Sequence, residues 1–138
     1  SAGDMARGVA IAQEGVTAWP HHPVLRNNLA VLLEATGDVA EAERVLRAAL
    51  AEEPSLPQLS KNLGDLHYRA GRYDDAFEAY ERAAKLAPSL DDLYFKLGNL
   101  AFRQRDRDRA RDCWRRAAEL NPGHQLARSN LEILDVPA

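Results

Sequence analysis

Asparagine recurs at a fixed spacing in this sequence: Asn28, Asn62 and Asn130 fall on one interval of 34 residues, and Lys96 takes the intervening place. A carboxamide both donates and accepts, so a row of asparagines is suited to hold the main chain of an extended peptide whatever its side chains. An asparagine ahead of a Leu-Gly pair is equally a tolerated polar residue on an inner helix surface. A second cluster is cationic. Arg103, Arg105, Arg107, Arg109, Arg111, Arg115 and Arg116 crowd one stretch and raise the question of an RNA or phosphate contact. Asp106, Asp108 and Asp112 interrupt them, and Arg107, Arg111 and Arg115 follow at helical spacing. That mixture reads as solvated ion pairs, each worth a few tenths of a kcal/mol, so nucleic acid is not the expected partner. His21 and His22 lie between Pro20 and Pro23 with no third ligand beside them, and Cys113 adjoins Trp114 in a helical pattern. The first pair reads as loop and the cysteine as packing. No Ser-His-Asp set, phosphate loop or paired-acid constellation is visible, so no catalytic residue, metal or cofactor is expected.

The 138 residues are 46% hydrophobic and 28% charged, which is ordinary for a folded domain and too rich in apolar residues for disorder. Apolar runs such as Leu29 to Leu33 fall far short of the roughly 18 residues of a membrane helix, so no membrane contact is expected. The net charge of -3 disfavours nonspecific attraction to nucleic acid. It is unevenly spread, with four basic and eight acidic side chains over residues 1–56 against eight and six over 91–124. The single cysteine excludes an internal disulfide and fits a reducing, cytoplasmic setting.

The elements that position these groups repeat with the same period. Pro20, Pro54, Pro88 and Pro122 are each 34 residues apart, as are Leu29, Leu63, Leu97 and Leu131, then Ala42, Ala76 and Ala110, then Ala49, Ala83 and Ala117. A hairpin of helices repeated in this way has too little core alone and buries its apolar face on its neighbours. In the second unit Leu59, Leu63 and Leu66 mark one helix over Gln58 to Ala70, and Ala76, Phe77, Tyr80 and Ala83 a second over Tyr73 to Leu86. Gly71 separates them and Gly37 does the same one unit earlier, since the residue after a helix commonly takes positive φ. Arg105 stands where the third unit needs that glycine. Gly64 and Gly98, with Ala76 and Ala110, permit a close approach that Tyr80 and Trp114 fill.

The spacing of Leu63, Gly64, Ala76, Tyr80, Ala83 and Pro88 resembles the tetratricopeptide repeat, and Tyr94, Leu97, Gly98, Ala110, Trp114, Ala117 and Pro122 match its pattern still better. The first unit departs from it, with Arg26, Ala30 and Leu46 at the aromatic, glycine and second aromatic sites. The resemblance implies an all-α, right-handed superhelical solenoid of antiparallel hairpins: repeats at 23–56, 57–90 and 91–124, a second helix of a preceding repeat within 1–22, and a capping helix within 125–138.

In that family the first helix of each hairpin lines a concave groove. The resemblance therefore puts Asn28, Asn62, Lys96 and Asn130 in a peptide-binding groove, with Lys61, Asp65, Tyr68, Phe95, Asn99, Phe102 and Arg103 around them. It implies a scaffold that binds a protein or peptide, with Lys96 favouring acidic segments. The row is similar to the asparagine ladders of the O-linked glycosyltransferase repeat regions, where the repeats recruit protein substrates, and a recruiting segment of a larger enzyme or signalling protein is the alternative. The chaperone-binding members grip a terminal carboxylate with lysines, asparagines and an arginine. Asn62 and Lys96 suit two of those places, but Asn27, Val31 and Asp92 occupy the others, and Asp92 would repel a carboxylate.

At the ends, Met5 to Ala18 reads as a second helix without its first, and His124 to Leu134 as a first helix without its second, where Glu132 replaces glycine as suits a solvated cap. With an opening Ser-Ala-Gly, this reads as a segment of a longer protein. Met5, Val9, Ile11, Ala12 and Val16 are then expected to leave apolar surface on the open side of the first helix, supporting weak self-association with Trp19 joining in. The alternative is a monomer whose outer face is kept polar by Arg7, Gln13 and Glu14.

Overall fold

The computed structural model describes residues 2–135, and these form eight helices with no strand among the described residues. They are α1 (Ala2–Ala18), α2 (Pro23–Ala35), α3 (Val39–Glu52), α4 (Pro57–Arg69), α5 (Tyr73–Leu86), α6 (Asp91–Arg103), α7 (Arg107–Leu120) and α8 (Gln125–Asp135). Helices α2 and α3, α4 and α5, and α6 and α7 pair as hairpins, and each hairpin packs on the next. The termini of the expected helices move by one to three residues, since Ala70 and His124 lie just outside α4 and α8 and α1 begins before Met5.

The turns show why the period holds. Inside each hairpin the amide five residues along reaches back to the last full turn: Asp38 to the Leu33 carbonyl, Arg72 to His67 and Asp106 to Ala101, each at 2.9 Å. This closure needs a left-handed residue just before it. Gly37 and Gly71 supply φ of 89° and 79°, and Arg105 adopts φ 64° in the same place. The repeat geometry overrides the side chain's preference. Prolines at the first turn of α2 and α4 need no amide partner there, and Asp106 caps α7 by accepting from the Arg109 amide at 3.1 Å.

Packing within a hairpin follows the small residues. Ala42, Ala76, Ala83, Ala110 and Ala117 are buried between helices. A β-carbon at Gly64 would stand 2.6 Å from the Tyr80 ring, and one at Gly98 would run into Trp114. The core is a chain of clusters: Leu29, Leu33, Leu46, Leu50, Leu59 and Leu63 around the first turns of the stack, then Phe77, Tyr80, Leu93, Leu97, Leu100 and Trp114.

At the first helix the expectation is corrected. Val9, Ala12 and Val16 pack inward against the core of α2 and α3, and Gly8 and Gly15 lie against Leu32 and Leu25. Met5 is half-buried and Ile11, at 62% exposure, is the one of the five that faces outward. The helix spends its apolar stripe on its own neighbour. At the far end Ala127 and Leu134 of α8 are buried, while Leu126, Glu132 and Ile133 are exposed.

Candidate peptide-binding groove

Helices α2, α4 and α6 stand side by side with polar contacts from each to the next, and a ring contact joins α6 to His124 just ahead of α8. Asn62 of α4 donates its amide to the Asn27 carboxamide oxygen of α2 at 2.5 Å, and Arg69 grips Glu34 through two nitrogens at 2.5 and 2.6 Å. Lys96 of α6 donates to Asp65 of α4 at 2.9 Å, and the Phe95 ring lies 4.7 Å from the His124 imidazole. These four first helices therefore share one face.

Between α4 and α6 this face opens a cleft of about 360 Å³ lined by Asp65, Tyr68, Arg69, Tyr80, Phe95, Lys96 and Asn99. Asp65 is its hub. It accepts from the Tyr80 hydroxyl and from Lys96, with Lys61 at 4.0 Å. Burial, followed by the hydrogen bond to Asp65, pushes the Tyr80 phenol far above its ordinary value, so it remains a donor. One repeat further on, Asn99 takes the role of Asp65 and accepts from the Trp114 ring nitrogen at 3.1 Å. Both polar side chains thus fix the aromatic of their own hairpin and leave their remaining capacity to the cleft.

The aromatic residues line the same surface. Tyr68 is 37% and Phe102 48% exposed, while Phe95 is half-buried against the core. Tyr68 meets the Tyr73 ring edge-on at 5.4 Å, and Arg103 stacks 4.2 Å over that ring while donating to its hydroxyl at 2.8 Å. Exposed aromatics beside hydrogen-bonding groups are the composition of contact surfaces.

The asparagine row is less open than its spacing implies. Asn62 is held by Asn27 and accepts a long contact from Gln58 at 3.4 Å, whereas among the described residues Asn28 and Asn130 have no hydrogen-bond partner. Lys96 lies between Asp65 and Asp92, the second at 3.6 Å, so its charge is already compensated. Arg69, Tyr73 and Tyr80 belong to the site and are absent from the sequence expectation. Arg69 lies 34 residues before the selected Arg103, so the period itself pointed to it.

Arg109, Arg111, His21 and Cys113 lie outside this cleft. Arg109 pairs with Glu81, and Arg111 with Asp108 and Asp135. His21 bonds Glu52 at 3.0 Å, and no group of three metal-ligating side chains occurs among the described residues. Burial pushes the Cys113 thiol up, away from the thiolate a nucleophile needs. No helix among the described residues is long and apolar enough to cross a membrane.

With this geometry in hand, sequence models of the tetratricopeptide repeat match residues 1–57, 27–91 and 91–124. The chain belongs to the tetratricopeptide repeat family. Its fold is accordingly an all-α solenoid of helical hairpins. No curated protein sequence matches it. Among solved structures it is similar to MamA, with a TM-score of 0.86 at 19% identity over 96% of this chain and 77% of that one. It is also similar to the first tetratricopeptide domain of Spaghetti bound to an HSP90 peptide, at TM-score 0.74, 20% identity, and 81% and 89% coverage. YrrB, described as having an unusual peptide-binding site, gives TM-score 0.80 and 20% identity over 89% of this chain and 63% of that one.

Proposed function

We propose that this tetratricopeptide solenoid is a protein-interaction scaffold that binds an extended peptide segment along the shared face of α2, α4, α6 and α8. The observation that carries the reading is the cleft between α4 and α6, where half-exposed Tyr68 and Phe95 stand beside the fixed acceptors Asp65 and Asn99. A peptide laid there finds apolar contact for its side chains and donors and acceptors for its main chain. Peptide binding by Spaghetti and the site named for YrrB agree with this use of the fold. Because Lys96 is paired twice, the selectivity is for mixed sequences and not for acidic ones. Asn28 and Asn130 extend the grip at either end.

The test begins with selection of binders from a peptide array. Phe95→Ala should weaken a selected peptide by about 1–2 kcal/mol, the usual cost of removing an aromatic anchor. The paired change Asn28→Ala and Asn62→Ala should cost about 1 kcal/mol or more. Unchanged affinity in the pair removes the asparagines from the site, and unchanged affinity in Phe95→Ala removes the cleft.

Weak self-association through α1 is a second proposal, resting on the exposed Ile11 and Trp19. Sedimentation at rising concentration should show a dimer that Ile11→Glu abolishes; Val9 is unsuitable for this because it packs inside. A chain that stays monomeric at high micromolar concentration contradicts it.

A further inference from the structure

On the opposite side of α4 a second cleft lies between α3 and α5. It measures about 150 Å³ and is lined by Arg47 and Leu50 of α3, Ser60, Leu63 and His67 of α4, and Asp75, Glu78, Ala79 and Arg82 of α5. Its floor is unusual. Ser60 and His67 are 0% and 2% exposed, and neither the Ser60 hydroxyl nor His67 Nδ1 has a hydrogen-bond partner. Seven residues apart on one helix, the two point the same way two turns apart. Leaving such groups unpartnered costs about 1–3 kcal/mol each. The repeat does not require them: the positions equivalent to His67 are the buried Leu33 and Ala101, and those equivalent to Ser60 are Arg26 and Tyr94.

We infer that this cleft is a second binding site, which takes the carboxamide side chain of a glutamine on a partner protein. The floor selects for it. Burial, helped by the Arg72 and Arg47 charges and opposed by Glu43 and Asp75, holds the His67 imidazole below its ordinary pKa, so at neutral pH it is uncharged. A neutral imidazole nitrogen and a hydroxyl together offer a donor and an acceptor. A carboxylate or an ammonium group would bring an uncompensated charge to this buried, uncharged floor, which is costly. A carboxamide donates and accepts without a charge. The rim has two guanidinium groups and two carboxylates, so it adds no net charge preference. Leu50, Leu63 and Ala79 provide apolar walls for the two methylenes of a glutamine. Arg47 is already held by Glu43 at 2.9 Å, whereas Asp75, Glu78 and Arg82 are exposed and in no ion pair among the described residues. They are available to charges flanking the glutamine, which favours a protein partner over a free small molecule.

The probe is butyramide, the glutamine side chain with an added methyl, titrated into the full chain at neutral pH while the His67 imidazole nitrogens are followed by NMR. A saturable shift in the millimolar range is expected for so few atoms. Ser60→Ala should weaken it about fivefold or more, the loss of one neutral hydrogen bond, and butyrate should bind at least about fivefold more weakly than butyramide. Ser60→Ala removes an unpartnered hydroxyl, so its melting temperature should not fall. If that variant nevertheless fails to fold, Ala79→Leu, which fills the cleft without touching its floor, replaces it and should abolish the shift. A shift that does not saturate, an equal response in the variant, or equal binding of butyrate overturns the inference and leaves a cleft that holds water only.

Discussion

Arg105 shows a single residue held against its own preference. Its φ of 64° is the conformation that glycine adopts at Gly37 and Gly71, and an L side chain pays about 1 kcal/mol or more for it. Nothing offsets this locally, because the turn bonds from Arg105 to Phe102 and from Asp106 to Ala101 are main-chain contacts that any residue makes. Arg105→Gly should therefore raise unfolding free energy by about 0.5–1 kcal/mol in chemical denaturation, and a loss of stability would contradict the strained-turn account. His67 makes a second residue-level case. Burial lowers its folded-state pKa, so the unfolded chain binds the proton more readily. The stabilisation is complete above the unfolded value of about 6.5 and is lost progressively as pH falls from there through the lower folded value. Thermal melts from neutral to mildly acid pH should show this decline, and His67→Leu, which copies the equivalent Leu33, should flatten it. An unchanged slope would mean that other groups govern the acid side.

At the scale of the helix pair, Gly64 and Gly98 set how closely α4 meets α5 and α6 meets α7. Gly64→Ala puts a β-carbon 2.6 Å from the Tyr80 ring. The ring must shift, at a cost of about 1–3 kcal/mol, and its hydroxyl then leaves Asp65. The variant should thus lose both stability and peptide affinity; full retention of both would separate hairpin packing from the groove. Most of this level was legible in the sequence. The prolines, Leu-Gly pairs and alanines fix helix identity and pairing because their roles are local: a stop, a close approach, a turn. The orientation of α1 was not. Its apolar residues spread over enough of the helix that either side reads as inward, and only packing against α2 decides that Val9 and Val16 go in while Ile11 goes out. The state of the polar groups was equally hidden. Spacing put Asn62 and Lys96 on one row, but their engagement by Asn27 and by Asp65 depends on the offset between neighbouring helices, about one repeat plus or minus a few residues.

For the molecule as a whole, stacking hairpins yields two long surfaces, one built from first helices and one from second helices. In a solenoid each unit contacts its neighbours, so stability accumulates along the chain and the two faces differ chiefly in what they present. The first-helix face presents Tyr68, Phe95 and Phe102 with Asp65 and Asn99; the opposite face presents the paired arginines of α7. The proposed peptide lies along the first. The direct test is backbone NMR mapping of the isotope-labelled chain with an array-selected peptide. The account predicts perturbations that concentrate on Asp65, Tyr68, Phe95 and Asn99 and vanish in Phe95→Ala. Perturbations confined to α3, α5 and α7, unchanged in that variant, would contradict it.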